Sequence, residues 1–319
     1  MIARDASELV DLASAGSRTA LARLLTYVES GGTSQLDTAT LVYRTPSPYV
    51  VGITGPPGGG KSTLTDRLLT TSLEAGSFDG EDPFEQVGVL CIDPSSPFSG
   101  GAILGDRIRM QDHATNEHVF IRSMATRGHL GGLSLAVPDA LRVLGAARFR
   151  LAIVETVGVG QMEVDIASAA DTTVVVTNPG WGDSMQASKA GLLEVADIFV
   201  INKAERPGVR ETRRDLEQML DLGEHKWRPM IIETTATSGV GTEALWDAIV
   251  EHRRFVLAED YAAHRRARAR VELDKVLSVM LRAKVADLAR GESYDAQIDR
   301  LLAGTTDPYH AAQALLADS

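Results

Sequence analysis

One segment constrains the fold of this chain more than any other. Residues 55–62 match the phosphate-binding pattern G-x-x-x-x-G-K-S/T, with a β-branched run before the match and helically spaced leucines after it. Glycines in such a loop let successive backbone N–H groups point at phosphate oxygens, and the start of the helix adds the positive end of its dipole. The sequence therefore predicts a nucleotide phosphate site formed by Gly55, Pro56, Pro57, Gly58, Gly59, Gly60, Lys61, Ser62 and Thr63.

The apolar pattern changes at about residue 48, where short β-branched runs begin to alternate with longer amphipathic segments. The predicted strands are Tyr49–Thr54, Val87–Asp93, Val119–Met124, Leu151–Thr156, Thr172–Asn178, Ile198–Asn202 and Met230–Thr234. The helices predicted between them include Ser62–Ala75, Leu133–Ala147, Val209–Leu222 and Glu243–Leu257. Apolar strands separated by helices form parallel sheets that are covered on both faces. The predicted fold class is therefore α/β, a three-layer P-loop NTPase with a mostly parallel central sheet.

Helical patterns flank this central region. Three parts are predicted: an N-terminal helical segment (1–45), a P-loop domain (46–258) and a C-terminal helical extension (259–319). Within the first part, leucine spacing indicates helices between residues 8 and 30, followed by a loop at Gly31-Gly32-Thr33-Ser34. In the extension, a long charged helical pattern precedes two shorter ones. The extension would either pack on its own domain or serve as an arm for self-association.

The charge of the chain limits its partners. With 32 Lys and Arg against 43 Asp and Glu, the net charge is −11. An acidic surface repels nucleic-acid phosphates and anionic lipids, so neither nucleic acid nor a membrane is an expected partner. No apolar run approaches the roughly 20 residues of a membrane span. The early acidic residues do not fit a secretory signal, and the expected location is the cytoplasm.

Three acidic residues are candidates for a metal site beside the phosphate loop. Asp93 and Glu155 end predicted strands, and Asp106 lies in a loop. Open α/β sheets bind ligands at the carboxyl ends of their strands, and Mg²⁺ prefers oxygen ligands. The predicted metal ligands are Ser62, Asp93, Asp106 and Glu155, and the predicted catalytic residues are Lys61, Asp93, Asp106 and Glu155. The alternative is that the strand-end acids are ordinary exposed caps.

The segment that begins at Glu155 also has a pattern of its own, Glu155-Thr156-Val157-Gly158-Val159-Gly160-Gln161. An acidic residue directly after a buried strand and before a glycine-rich turn suits a loop whose backbone N–H senses the γ-phosphate. Such loops reorder when the nucleotide is hydrolysed. The segment is therefore predicted to be a nucleotide-dependent switch.

Two further loops follow strands where a base-binding site would lie. The first, Asn202-Lys203-Ala204-Glu205, stands where guanine-specific P-loop proteins have N-K-x-D. The second, Thr235-Ala236-Thr237, matches the S/T-A-x loop that closes the other side of the base. The predicted base contacts are Asn202, Lys203, Glu205, Thr235, Ala236 and Thr237. Glu205 keeps a carboxylate but is one methylene longer than Asp, which leaves strict guanine specificity open.

Together these segments resemble the MeaB/ArgK family of P-loop GTPases, whose older name is LAO/AO transport kinase. The most specific matches are Asp93-Pro94-Ser95-Ser96-Pro97 and Glu155–Gln161, Gly105–Met110 also matches, and the resemblance spans roughly residues 8–290. It implies a Mg²⁺-dependent GTPase that binds GTP and GDP. It also implies a chaperone of adenosylcobalamin-dependent methylmalonyl-CoA mutase, which gates cofactor loading and protects or reactivates the mutase.

The resemblance implies two further features. Residues 179–189 look like an additional switch through which the family senses its mutase, with Gly182, Asp183, Gln186 and Lys189 as the sensing residues. The C-terminal extension would be the arm through which family members form homodimers. Trp181, Ser184 and Glu205 depart from the residues that the family commonly has at these positions.

Three other functions compete with the chaperone hypothesis. A nickel-type metallochaperone GTPase usually needs clusters of Cys and His, but this chain has one cysteine, Cys91, and seven dispersed histidines. An ATP-dependent kinase would need an acceptor pocket, and no motif indicates one. A non-catalytic nucleotide-dependent scaffold would not need Lys61, Ser62 and the carboxylates. The partner could be methylmalonyl-CoA mutase or isobutyryl-CoA mutase.

Overall fold

The computed structural model describes residues 5–80, 82–93, 113, 115–125, 132–156, 166–180, 195–259 and 261–317. The chain divides into two compact units, Met1–Arg268 and Ala269–Ser319. The division falls inside one long helix, Tyr261–Leu288, rather than in a loop.

A seven-stranded sheet forms the centre of the first unit. Its strands are β1 (Tyr49–Thr54), β2 (Val87–Asp93), β3 (Val119–Ala125), β4 (Leu151–Thr156), β5 (Thr172–Thr177), β6 (Ile198–Asn202) and β7 (Met230–Thr234). They lie in the order β3-β2-β4-β1-β5-β6-β7, and each neighbouring pair is parallel. Strands β2, β3 and β4 lie on one side of β1, and strands β5, β6 and β7, which follow later in the chain, lie on the other side. In open α/β sheets, ligands bind at the carboxyl ends of the strands where the strand order reverses in this way.

Helices cover both faces of the sheet. They are α1 (Ala6–Ser14), α2 (Arg18–Ser30), α3 (Gly32–Val42), α4 (Lys61–Ala75), α5 (Gly132–Ala146), α6 (Val209–Leu220) and α7 (Thr242–Ala258). One core includes Leu24 of α2, Leu141 of α5 and Val154 of β4. A second core includes Leu64 of α4 and Trp246 of α7. A third core joins Phe199 of β6 to Leu216 of α6. The structure thus confirms the α/β fold class, with a parallel sheet between two layers of helices.

Helix α3 differs from the sequence-based expectation of a loop at residues 31–34. The helix begins at Gly32 and ends at Val42. Glycine disfavours a helix by about 1 kcal/mol relative to alanine. However, Thr38 and Val42 are fully buried, and the Thr38 hydroxyl donates to the Ser34 carbonyl at 2.8 Å. Burial in the tertiary structure therefore outweighs the local preference of the glycine.

Polar side chains connect the sheet to α7 at the edge opposite the phosphate loop. The Thr172 hydroxyl lies 2.5 Å from the Tyr49 hydroxyl and 2.9 Å from Nδ1 of His252. Nε2 of His252 lies 3.3 Å from the Asp197 carboxylate. Burial raises the pKa of the Tyr49 phenol, so this group stays neutral. These contacts fix the amino ends of β1 and β5 and leave the carboxyl ends as the edge for a ligand.

The second unit is helical. It contains the larger part of α8 (Tyr261–Leu288), followed by α9 (Glu292–Leu302) and α10 (Pro308–Ala317). Ala311 is buried, whereas several apolar side chains of α8 are exposed, among them Leu273, Leu277, Met280, Leu281 and Val285. None of the helices in the described ranges is long and apolar enough to cross a membrane.

Candidate nucleotide-binding site

The phosphate loop lies between β1, which ends at Thr54, and α4, which begins at Lys61. Two of its glycines lie against other parts of the site. A Cβ at Gly55, where φ is +135°, would lie 2.1 Å from the Val176 carbonyl oxygen of β5. A Cβ at Gly60, where φ is +88°, would lie 2.3 Å from Nδ2 of Asn202. These positions require glycine because there is no space for a side chain and L-residues rarely adopt such φ angles.

Lys61 is the buried cation of this loop. Its side-chain Nζ donates to the carbonyl oxygens of Gly55 at 2.6 Å and Pro56 at 3.0 Å. The residue is 6% exposed. The ammonium group therefore lies inside the curve of the loop, at the amino end of α4. A positive charge and a helix amino terminus in one place suit the binding of phosphate.

Ser62 and Glu155 meet across the site. The Ser62 hydroxyl donates to Oε1 of Glu155 at 2.6 Å, and both residues are buried. Glu155 pairs in register with Ile53 of β1 and Cys91 of β2, near the carboxyl ends of these strands. A hydroxyl and a carboxylate in direct contact are hard oxygen donors of the kind that Mg²⁺ takes. These two residues therefore fit a magnesium ion beside the phosphates.

Two other predicted metal ligands are only partly covered by the structure. Asp93 is the last residue of β2, one position beyond the register pair Ile92 and Thr156. Its backbone therefore reaches the same edge of the sheet as Glu155. Asp106 lies outside the described residues, as do Gly182, Asp183, Gln186 and Lys189 of the predicted partner-sensing segment.

Asn202 connects the phosphate loop to the predicted base-binding loops. Its Nδ2 donates to the Gly59 carbonyl at 2.8 Å. Its Oδ1 accepts from the Thr234 hydroxyl and from the Ala236 amide, both at 3.1 Å. Because Asn202 is buried and uses both ends of its amide, it fixes three loops relative to one another. Thr234 was not predicted as a site residue, although it is the last residue of β7 and directly precedes Thr235-Ala236-Thr237.

Lys203 makes a second contact between these loops. Its Nζ donates to the Gly58 carbonyl at 2.6 Å, and its own φ of +59° is unusual for a residue other than glycine. The next amide, that of Ala204, donates to the Thr234 carbonyl at 3.0 Å. Glu205 and Thr237 are exposed. The structure thus places the Asn202–Glu205 and Thr235–Thr237 loops side by side and next to the phosphate loop.

Another residue that the sequence did not single out follows the Gly105–Met110 motif. His113 is buried, and its Nε2 lies 3.2 Å from both the Asp66 carbonyl oxygen and the Thr70 hydroxyl of α4. Its Nε2 also lies 3.7 Å from the Asp66 carboxylate. His113 therefore connects the chain after this motif to the helix that begins in the phosphate loop. A lone histidine offers no sequence signal for such a contact.

Comparisons with known proteins agree with this geometry. The family model of the methylmalonyl-CoA mutase-associated GTPase MeaB matches residues 21–290. A Pyrococcus abyssi protein named as a GTPase is 47% identical to this chain over 319 residues. The match covers 98% of this chain and 96% of the relative. The GTPase ArgK of Escherichia coli is 35% identical over 254 residues, 76% of this chain and 74% of the relative.

Two more distant proteins extend the comparison. The mitochondrial methylmalonic aciduria type A homolog of Mus musculus is 30% identical over 325 residues, 94% of this chain and 76% of the relative. A crystal structure of an LAO/AO transport system kinase has a TM-score of 0.72 over 99% of this chain and 98% of that chain. At 23% identity, this likeness shows the fold alone. The family match and the closely similar relatives show more than the fold: this chain belongs to the MeaB family of methylmalonyl-CoA mutase-associated P-loop GTPases.

Proposed function

We propose that this GTPase acts with Mg²⁺ as the chaperone of an adenosylcobalamin-dependent acyl-CoA mutase, with methylmalonyl-CoA mutase as the first candidate. In this role it gates cofactor loading and protects or reactivates the mutase. The observation that carries the proposal is the match of the MeaB family model over residues 21–290, because that model is described by its association with methylmalonyl-CoA mutase. The acidic net charge of −11 and the absence of a membrane-spanning helix from the described ranges are compatible with a cytoplasmic protein partner.

The contacts of the phosphate loop support a hydrolytic role for Lys61. In the reaction a water attacks the γ-phosphorus, the bond to the β–γ bridging oxygen breaks, and GDP and phosphate are formed. Negative charge develops on the bridging and γ-phosphate oxygens. The Lys61 ammonium, now held by the Gly55 and Pro56 carbonyls, would exchange these partners for phosphate oxygens. It would thereby stabilise the transition state by electrostatic attraction in a water-poor site.

Ser62 and Glu155, with Asp93 and Asp106, are the proposed ligands of the Mg²⁺ site. The Ser62 hydroxyl and the Glu155 carboxylate are in direct contact at 2.6 Å, which brings two oxygen donors together. Each would bind the ion directly or through a water molecule. When bound, the ion would neutralise part of the charge on the phosphate oxygens. Glu155 keeps Ser62 oriented and draws the cation by its own negative charge.

The loops around Asn202 support guanine as the base. We assign the base contacts to Asn202, Lys203, Glu205 and Thr235–Thr237. The Lys203 stem crosses towards Gly58, which leaves its methylene groups available to cover the face of a base. Glu205 is exposed at the end of the same loop, where its carboxylate would accept from guanine N1–H and the 2-amino group. The sensing of the mutase is assigned to Gly182, Asp183, Gln186 and Lys189.

The chaperone proposal is tested by the GTPase rate in the presence of a mutase. We expect methylmalonyl-CoA mutase to raise the rate by about tenfold, which corresponds to about 1.4 kcal/mol of barrier. Phosphate release is measured for the GTPase alone and after addition of purified methylmalonyl-CoA mutase or isobutyryl-CoA mutase. An unrelated acyl-CoA enzyme is added in the control. A response to isobutyryl-CoA mutase alone would move the assignment to that partner. If the rate changed with neither mutase, the chaperone role would be wrong.

We also propose that the C-terminal extension forms a homodimer through α8. Its apolar side chains lie at helical spacing on one face and are 47–64% exposed (Leu273, Leu277, Met280, Leu281 and Val285). A row of this kind is costly to leave in water, because each side chain contributes about 1.5–3 kcal/mol when it is fully buried. A second copy of the chain would cover the row with an identical one, as two-fold interfaces do.

Replacing Leu277 and Leu281 by aspartate should therefore separate the dimer. We expect the dissociation constant to rise by about 100-fold or more, because each change would place a charge in an apolar interface. Sedimentation velocity measures the change. Ala286→Asp adds one negative charge to the opposite, exposed face of the helix and should leave the dimer intact. A sedimentation coefficient that is the same for wild type and the double variant would contradict the arm assignment.

A further inference from the structure

Two threonine side chains meet at the point where the phosphate loop and β4 leave the sheet. The Thr156 hydroxyl donates to Oγ1 of Thr54 at 3.1 Å, and both residues are fully buried. Thr54 directly precedes Gly55 of the phosphate loop, and Thr156 directly follows Glu155. Thr156 belongs to the segment predicted as a switch, but neither threonine is among the predicted catalytic, nucleotide-binding or metal-binding residues.

The bond lies where the backbone pairing of β1 and β4 ends. The register of these two strands runs from Tyr49 and Leu151 to Ile53 and Glu155. At the next position, Thr54 pairs with Val175 of β5, and Thr156 pairs with Ile92 of β2. The two strands therefore have different outer partners at the edge of the site, and the threonine side chains connect them one residue beyond their last register pair.

Glu155 is consequently fixed from both faces of the sheet. Successive side chains of a strand point to opposite faces, so Glu155 and Thr156 project in opposite directions. On one face the Glu155 carboxylate accepts from Ser62 at 2.6 Å. On the other face Thr156 is bonded to Thr54. A rotation of the β4 end that would withdraw the carboxylate from Ser62 would have to break the threonine bond as well.

We propose that Thr156 is a positioning residue for the cation site, which it serves through Thr54. Its hydroxyl holds the carboxyl end of β4 against β1 and so keeps the Glu155 carboxylate beside Ser62. The inference rests on the proposed Mg²⁺ role of Ser62 and Glu155. If this hydrogen bond only added stability to the core, its removal would lower the free energy of unfolding without changing the response to Mg²⁺.

The test is the Mg²⁺ dependence of the release of fluorescently labelled GDP. Thr156→Val removes the hydroxyl and keeps the shape of the side chain. We expect the Mg²⁺ concentration for half-maximal slowing of GDP release to rise by about tenfold, since groups that orient metal ligands typically change metal affinity by 10- to 100-fold. GDP affinity in EDTA should stay within about twofold of wild type, because the change does not touch the nucleotide contacts of the loop.

Four further variants separate positioning from stability. Thr54→Val removes the other partner and should shift the Mg²⁺ response by the same factor. The Thr54→Val/Thr156→Val double variant should shift it no further, because the two residues act through one bond. Thr156→Ser keeps the hydroxyl and should restore the wild-type response. Thr38→Val is the control, since it removes another fully buried threonine hydroxyl, that of α3, far from β4 in the sequence.

The outcomes distinguish this inference from the proposed function. If GDP release from the wild type did not respond to Mg²⁺, both the cation site and this inference would be wrong. If the wild type responded and Thr156→Val had the same midpoint as Thr38→Val, the inference alone would fail. Should Thr156→Val not fold, the same comparison is made with Thr54→Val, for which an unshifted midpoint is equally decisive.

Discussion

Replacement of Lys61 by alanine is expected to lower the rate of GTP hydrolysis by at least about 100- to 1,000-fold, the usual effect of removing one preorganised group that stabilises developing charge. Lys61 is the buried cation of the phosphate loop, and its Nζ lies 2.6 Å and 3.0 Å from two loop carbonyls. No neutral side chain can supply that charge to the γ-phosphate. Single-turnover phosphate release at saturating GTP measures the chemical step apart from binding.

The matched control for this prediction is Lys226→Ala. The side chain of Lys226 is 89% exposed and lies 4.0 Å from Glu259, so its removal should change neither hydrolysis nor stability beyond about 0.5 kcal/mol. Thermal unfolding of both variants shows whether the fold is kept. Hydrolysis by a folded Lys61→Ala variant at the wild-type rate would place the reaction at a site other than this loop.

The sequence predicts the phosphate loop because its chemistry is local. Gly55, Gly60, Lys61 and Ser62 lie within eight residues, and the flanking strand and helix have clear periodicity. The parallel sheet follows from apolar strands that alternate with helices. The strand order does not follow from such patterns, because it depends on which strands pair. The contacts of Thr54 with Thr156 and of Thr234 with Asn202 depend on that order, and the sequence offers no signal for them.

Helices α3 and α8 show two different limits of sequence patterns. In α3, Gly32 starts a helix against its own propensity because later residues of the helix are buried. In α8, the spacing of Leu273, Leu277 and Leu281 correctly predicts a helix but does not tell whether its apolar face is covered. These side chains are exposed in the structure, and the arm stays a proposal. A local pattern therefore misses a helix that is stabilised by burial, and it does not show the surroundings of a helix that it predicts.

Replacement of Gly55 by alanine should be far more damaging than the same replacement at Gly58, three residues away. Both glycines have positive φ, +135° and +75°. A Cβ at Gly58 would have nothing within 4 Å, so the expected cost is the backbone strain alone, about 1 kcal/mol. A Cβ at Gly55 would lie 2.1 Å from the Val176 carbonyl oxygen and 3.0 Å from its carbon.

The neighbour of Gly55 cannot move aside, because Val176 belongs to β5, which pairs with β1 on one side and β6 on the other. We therefore expect Gly55→Ala to lose about 3 kcal/mol or more of unfolding free energy, from strain and overpacking together. GDP affinity should fall by about 100-fold or more, since a shift of the loop by 1 Å misplaces the phosphate contacts. Urea unfolding and binding of labelled GDP measure the two effects, with Gly58→Ala as the reference. Equal unfolding midpoints for the two variants would mean that the loop does not lie against β5 as the structure places it, because the contact with Val176 is the main difference between the two positions.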